Sequence, residues 1–231
     1  MKRFSDFRKK KLLFVHIEKT GGNSLSHVFQ KYTVEKIYKH NGYSDGLETF
    51  EIKGKYTLNK HQNLSDYKNL LGVKFKKFKI ITVIRNPLDR LISAYFMQDR
   101  SLHPNFFIRK INHFTKKRFN FFLFSHKFYK NKMPKFSLSN FKHFIENFNN
   151  QTHYFKIDQK FIKPSYLLRF ENYKHDLKKF CNLYNIKFEQ IHVNKSVKKK
   201  FTDSELKVLE KLVLNSHHKE DYNTFAYRKL K

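Results

Sequence analysis

"FVHIEKTGGNSL", residues 14–25, changes character twice: apolar at first, then polar with two adjacent glycines, then helical. Its front end extends back to "LLFVHI" (12–17), an apolar, β-branched run suited to a buried strand. Beyond the Gly21-Gly22 turn, Leu25, Val28, Phe29 and Tyr32 recur at helical spacing, with Asn23 or Ser24 near the N-cap. A strand that turns on glycines directly into a helix is half of an α/β repeat. The partner unit is "FKIITVIRNPLDRLISAYF" (78–96). Ile80 to Ile84 read as a fully buried strand, and Asn86-Pro87 ends it and opens a helix with proline at its first position. Leu88, Leu91, Ile92, Tyr95 and Phe96 share one stripe of that helix, while Ser93 lies off it. Two such units predict an α/β fold, a central and mainly parallel sheet with helices on both faces.

The remaining chain fits around these units. Residues 41–60 read as loop and then a strand near "KYTL". "LSDYKNLLG" predicts a short helix capped by Ser65 and Gly72, and "SLSNFKHFIENF" (137–148) a second, amphipathic one. "SYLLRFENY" (165–173) gives a strand ending in a polar turn, followed by the helix "YKHDLKKFCNLYNI" and a final helix capped by Thr202 or Asp203. Residues 100–135 are basic and aromatic without a clean period, and are expected to form a helical or loop insertion, a lid or acceptor-binding region. No repeat or low-complexity linker divides the chain, so one domain over residues 1–231 is expected.

The charge is lopsided: 49 Lys and Arg against 19 Asp and Glu give a net charge of +30. Such a field attracts polyanions, whether nucleic acid, anionic lipid headgroups, acidic glycans or nucleotides, although most of the lysines also serve simply to solvate the surface. Cys181 is the sole cysteine, which excludes an intrachain disulfide and reads as a small buried apolar residue. No apolar run approaches the roughly 18 residues of a membrane span. The basic start "MKRFSDFRKKKLLFVHI" has too short an apolar run for a signal peptide and flows into the first strand. A cytoplasmic, soluble protein is expected.

The turn at residues 18–24 carries the chemistry. A strand feeding a helix through glycines presents backbone N–H groups and the positive end of a helix dipole, and glycine lets an anion come close. Lys19, Thr20, Asn23 and Ser24 add side-chain donors, so the stretch reads as a phosphate or sulfate cradle. It is neither the triphosphate loop GxxxxGK[ST], because lysine and threonine precede the glycines, nor the dinucleotide fingerprint GxGxxG. Arg85, at the end of the second strand, can grip a phosphate bidentately, and the Ser93 hydroxyl can complete that cage. No histidine, cysteine or carboxylate cluster has metal-ligand spacing, so no metal is expected. A basic nucleic-acid-binding protein is a competing reading of the charge and aromatics, without any binding-module motif behind it. A phosphotransferase with an atypical phosphate loop is another.

These motifs resemble a known family. "FVHIEKTGGNSL" is similar to the 5′-phosphosulfate loop of carbohydrate sulfotransferases that use 3′-phosphoadenosine 5′-phosphosulfate (PAPS), and "VIRNPLDRLISAYF" to their 3′-phosphate motif in RxPxxRxxS order. The motifs resemble those of the group that holds heparan-sulfate 2-O- and chondroitin/dermatan-type enzymes and their bacterial counterparts. The resemblance continues through "NKHQNLSDYKNLLG", "LLRFENYKHDLKKF", "HVNKS" and "KEDYNTFAY". It implies a P-loop-like sulfotransferase fold and sulfuryl transfer to a carbohydrate hydroxyl. Carried over by position, Lys19 meets the 5′-phosphate and bridging oxygen, and Thr20, Gly21, Gly22, Asn23 and Ser24 hold the phosphosulfate. Arg85 and Ser93 bind the 3′-phosphate. His61 matches the general base, a role for which a group titrating near neutrality is suited; His16 and Glu18 are the alternatives. Glu18 departs from the family's usual proline and sets a carboxylate beside an anion. "NKSVKKKF" (194–201) would lie near the nucleotide, Arg169 and Glu171 would orient loops, and the 100–135 segment would suit an oligo- or polysaccharide, anionic glycans included. No specific nucleic-acid partner follows, but the basic charge would favour attraction to a membrane surface.

Overall fold

The computed structural model describes residues 11–30, 37–39, 48–52, 56–59, 61–102, 136–188 and 201–230. In chain order these form β1 (Leu12–Val15), α1 (Gly22–Gln30), β2 (Ile37–Lys39), β3 (Glu48–Ile52), β4 (Tyr56–Asn59) and α2 (Leu64–Leu71). A 3-10 turn (Gly72–Lys77) leads to β5 (Lys79–Ile84), then α3 (Pro87–Leu102) and α4 (Leu138–Asn147). β6 (Lys156–Ile157), β7 (Lys160–Phe161), β8 (Tyr166–Arg169), α5 (Tyr173–Leu183), α6 (Asp203–Leu214) and α7 (Lys219–Thr224) complete the set.

β5 is the centre of a three-stranded parallel sheet in the order β1-β5-β8. Leu12 stands opposite Lys79 at one end, and Ile84 opposite Arg169 at the other. Side chains alternate across the sheet. Leu12, Ile81, Val83 and Leu168 face Leu25 and Val28 of α1 and Leu177, Phe180 and Cys181 of α5. Leu13, Val15, Ile80 and Ile84 face Leu64 and Tyr67 of α2 together with Phe155 and Phe225. Helices thus cover both faces, as the buried runs predict. A nine-residue helix such as α1 is marginal in isolation. Full burial of Leu25 and Val28, about 1.5–3 kcal/mol each, is what holds its amino end at the sheet edge. A further apolar cluster packs α3 against α4, α6 and α7 through Leu91, Phe141, Val213 and Tyr222. Cys181 is buried, and burial pushes its thiol up to about 11, so it packs as an apolar residue.

Several local expectations change. The N-cap of α2 is Asn63, not Ser65: Asn63 and Asp66 form a reciprocal capping box, while Ser65 Oγ donates to the Lys156 carbonyl. Gly72 is its C-cap, as expected. The polar stretch read as loop holds β3, which pairs antiparallel with both β2 and β4. α1 starts at Gly22, ahead of Asn23 and Ser24, with Ser24 N donating to the Gly21 carbonyl. Thr202 caps α6 in a second capping box with Glu205. α3 runs on through Leu102, and the rest of the expected insertion, 103–135, lies outside the described residues. So does 194–200 of the basic run.

His218 makes the fold acid-sensitive. It is fully buried, and its Nε2 donates to the Ile145 carbonyl at 3.0 Å, tying the start of α7 to α4. Burial, reinforced by the His217 and Arg90 charges, pushes its pKa down to about 3. In an unfolded chain a histidine titrates near about 6.5. Between those values the unfolded state binds the extra proton, so stability is complete above roughly pH 6.5 and is lost as pH falls. His218 should contribute a slope approaching about 1.4 kcal/mol per pH unit in that window. Thermal melts from pH 7 to pH 4 should show the fall, and His218→Gln, which can still donate to Ile145, should flatten it. An unchanged slope in the variant would exclude His218 as its source.

Candidate functional site

Because β1, β5 and β8 run parallel, their carboxyl ends deliver three turns to one edge of the sheet. These are residues 16–21, Arg85-Asn86 and Phe170-Glu171, and that edge is where open α/β sheets bind ligands. In the first turn Lys19 has φ 65° and Gly21 φ 85°, both left-handed. For Lys19 this costs about 1 kcal/mol, so something must hold it there. Three successive carbonyls are pinned. Thr20 Oγ1 donates to Ile17 O at 2.9 Å, Arg90 Nε to Glu18 O at 3.0 Å, and Arg85 Nη1 to Lys19 O at 3.3 Å. In a trans peptide the N–H points opposite the carbonyl. Pinning these oxygens therefore also fixes the directions of the N–H groups of Glu18, Lys19 and Thr20. Alternating left-handed residues gather such groups into a concavity that suits an anion.

The glycines are required by close packing. A Cβ on Gly21 would lie 2.7 Å from the Phe170 ring, and one on Gly22 would fall within the His16 ring. His16 is buried and stacks on Phe14 with centroids 5.3 Å apart. Its other neighbour is His61, edge-on at 4.7 Å, whose Nδ1 lies 2.9 Å from the His16 carbonyl. A carbonyl only accepts, so Nδ1 carries the proton and Nε2 of the neutral ring carries the lone pair. The ring is thereby oriented beside the β1 turn as the basic tautomer a proton acceptor needs.

Arg85 spans the first and third turns. Its guanidinium lies 4.4 Å over the Phe170 ring, and its Nε is buried without a hydrogen-bond partner among the described residues. Burial lowers its pKa, opposed by Asp89, Glu171 and Tyr227, but arginine remains a cation. The backbone of Arg85 is held on both sides by one side chain. Gln151 Oε1 accepts from Arg85 N at 2.9 Å, and Gln151 Nε2 donates to Arg85 O at 2.8 Å. Gln151 is itself fixed by buried Asp221, which accepts from the backbone N–H groups of Gln151 and Thr152. Arg90, fully buried, links Glu18 O to Asn149 O and lies 4.7 Å over the Phe148 ring.

The structure thus brings Lys19, Thr20, Gly21, Gly22, Asn23, Ser24, His61 and Arg85 to one edge. Thr20 is fully buried with its hydroxyl donated inward, so its side chain serves as a strut of the turn. Ser93 is half-buried on α3, about 9 Å along the axis from Pro87, and belongs to no hydrogen bond of this set. Glu18 is half-buried, and its charge acts on Arg90 and on Tyr154, whose phenol is pushed up to about 12 mainly by burial. Glu171 does orient loops: its carboxylate accepts from Asn86 N at 2.6 Å and from Tyr227 Oη at 3.2 Å. Arg169 donates to the Phe225 carbonyl at 2.6 Å. Sequence reading missed the supporting roles of Gln151, Asp221 and Phe170, which sequence spacing does not signal, and gave Arg90, the second arginine of the RxPxxRxxS order, no role.

A parallel sheet edge, a helix amino end and an arginine with an unsatisfied buried donor define an α/β domain able to hold an anionic substrate. The model of the sulfotransferase family matches residues 2–228 of the chain, which therefore belongs to that family and is a sulfuryl-transferring enzyme. No curated protein and no solved structure matches it. Among the described residues, no helix is long and apolar enough to cross a membrane.

Proposed function

We propose that this chain, as a single domain over residues 1–231, transfers the sulfuryl group of PAPS to a hydroxyl of a carbohydrate. The observation that carries the reading is the convergence of His61 and Arg85 on the β1 turn, from positions far apart in sequence. The 18–24 backbone and the Lys19 ammonium hold the phosphosulfate, and Arg85, whose buried Nε has no partner among the described residues, takes the 3′-phosphate with Ser93. The acceptor oxygen attacks sulfur in line as the bond from sulfur to the 5′-phosphate oxygen breaks. The hydroxyl proton passes to His61 Nε2. Lys19 and the helix dipole meet the charge that develops on the departing phosphate. The products are the sulfated sugar and adenosine 3′,5′-bisphosphate, and no metal takes part.

The test is a thermal-shift series with adenosine 3′,5′-bisphosphate, AMP and ATP. At a hundredfold excess over Kd the bisphosphate should stabilise by about 2.7 kcal/mol. For a chain of this size that is roughly 5–10 °C in Tm. AMP and ATP, which lack a 3′-phosphate, should shift it far less. Equal shifts for all three would remove the 3′-phosphate from the assignment.

A further inference from the structure

The opposite edge of the sheet, where the strands begin, has a different chemistry. The 3-10 turn Gly72–Lys77 carries Lys74, Lys76 and Lys77, all exposed. Lys79 opens β5 beside Lys11, with Lys79 N donating to Lys11 O at 2.7 Å, and exposed Lys163 lies two residues before Ser165, which accepts from Ile80 N. None of these six lysines pairs with a carboxylate among the described residues, and residues 72–80 contain no acidic residue. On other surfaces charges are mixed: α6 sets Asp203 and Glu205 near its lysines. At the tip of this cationic edge Val73 is 88% exposed, on a turn made by left-handed Gly72.

We propose that this edge is a docking surface for an anionic lipid bilayer. Lysines attract acidic headgroups, each contributing about a fivefold gain in affinity near the surface. The Val73 side chain gains from the interfacial region, whereas a soluble polyanion would have no use for it. The orientation is compatible with enzyme action: with β5 six residues long, the β1 turn lies about 20 Å away, facing the solution that supplies a soluble donor. This inference does not depend on what the opposite edge binds.

Co-sedimentation of the full chain with vesicles of phosphatidylcholine alone, and of equal parts phosphatidylcholine and phosphatidylglycerol, tests it. Binding to the anionic vesicles only is expected. The variant Lys74→Gln/Lys76→Gln/Lys77→Gln should bind on the order of a hundredfold more weakly or worse. Val73→Asp should also weaken binding. The control Lys207→Gln/Lys211→Gln/Lys219→Gln removes the same charge from exposed positions elsewhere and should bind as wild type. All these positions are exposed, so folding is not at stake. Equal losses in the two triple variants would reduce the effect to bulk charge and overturn the proposal. So would loss of heparin or oligonucleotide binding in the first triple variant with vesicle binding intact, which would make the edge a polyanion site.

Discussion

His61→Asn should lower kcat for sulfuryl transfer on the order of a thousandfold, with the bisphosphate Kd nearly unchanged. Asparagine can still donate to the His16 carbonyl, as the ring does, so the turn keeps its shape while the proton acceptor is gone. The loss then lies in chemistry and not in donor binding, a split that steady-state kinetics with calorimetric binding resolves. Lys19→Ala should act on both, because an ammonium beside the phosphosulfate serves ground state and transition state alike. A His61→Asn enzyme with wild-type kcat would move the base elsewhere, to His16 or Glu18. A Lys19→Ala enzyme with full activity would remove the proposed mechanism altogether.

The parts of this site that the sequence made legible are those set by local rules. Apolar runs ending at Gly21-Gly22 and at Asn86-Pro87 must be strands that stop, because glycine and proline permit few continuations. Two such strands in a parallel sheet necessarily deliver Lys19 and Arg85 to one edge. His61 required the family resemblance, since nothing in "NKHQNL" says where the segment docks. What escaped was support at long range. Gln151 clamps the Arg85 peptide and Arg90 clamps Glu18 O across separations that no periodicity encodes. The polar stretch 48–52 hid a strand for a similar reason: β3 is defined by its two partners and not by its own alternation. Helix ends were misplaced where several capping residues compete, as in "NLSD", where Asn63 prevails because Asp66 can complete the reciprocal pair.

Arg90→Met is the variant expected to damage the fold most. Removing a buried charge together with the hydrogen bonds it donates costs about 3–5 kcal/mol. Asp221, buried and with its pKa raised by burial, would also lose the Arg90 charge, the largest influence opposing that rise, although the Gln151 and Thr152 N–H groups would still hold it. The Glu18 and Asn149 carbonyls would lose their donors as well. At this chain length the loss corresponds to a Tm lower by roughly 10 °C. If Arg90 only stabilised the fold, the surviving folded protein would bind adenosine 3′,5′-bisphosphate as wild type does. Since its Nε holds the carbonyl that aims the turn's N–H groups, the bisphosphate Kd measured well below Tm should instead rise about tenfold, the equivalent of one charge-assisted hydrogen bond. Arg90→Lys keeps a cation near Asp221 but cannot fork between two carbonyls, so it should recover most of the Tm and little of the Kd. Recovery of both by lysine would mean that charge alone, and not the guanidinium's geometry, sets the turn.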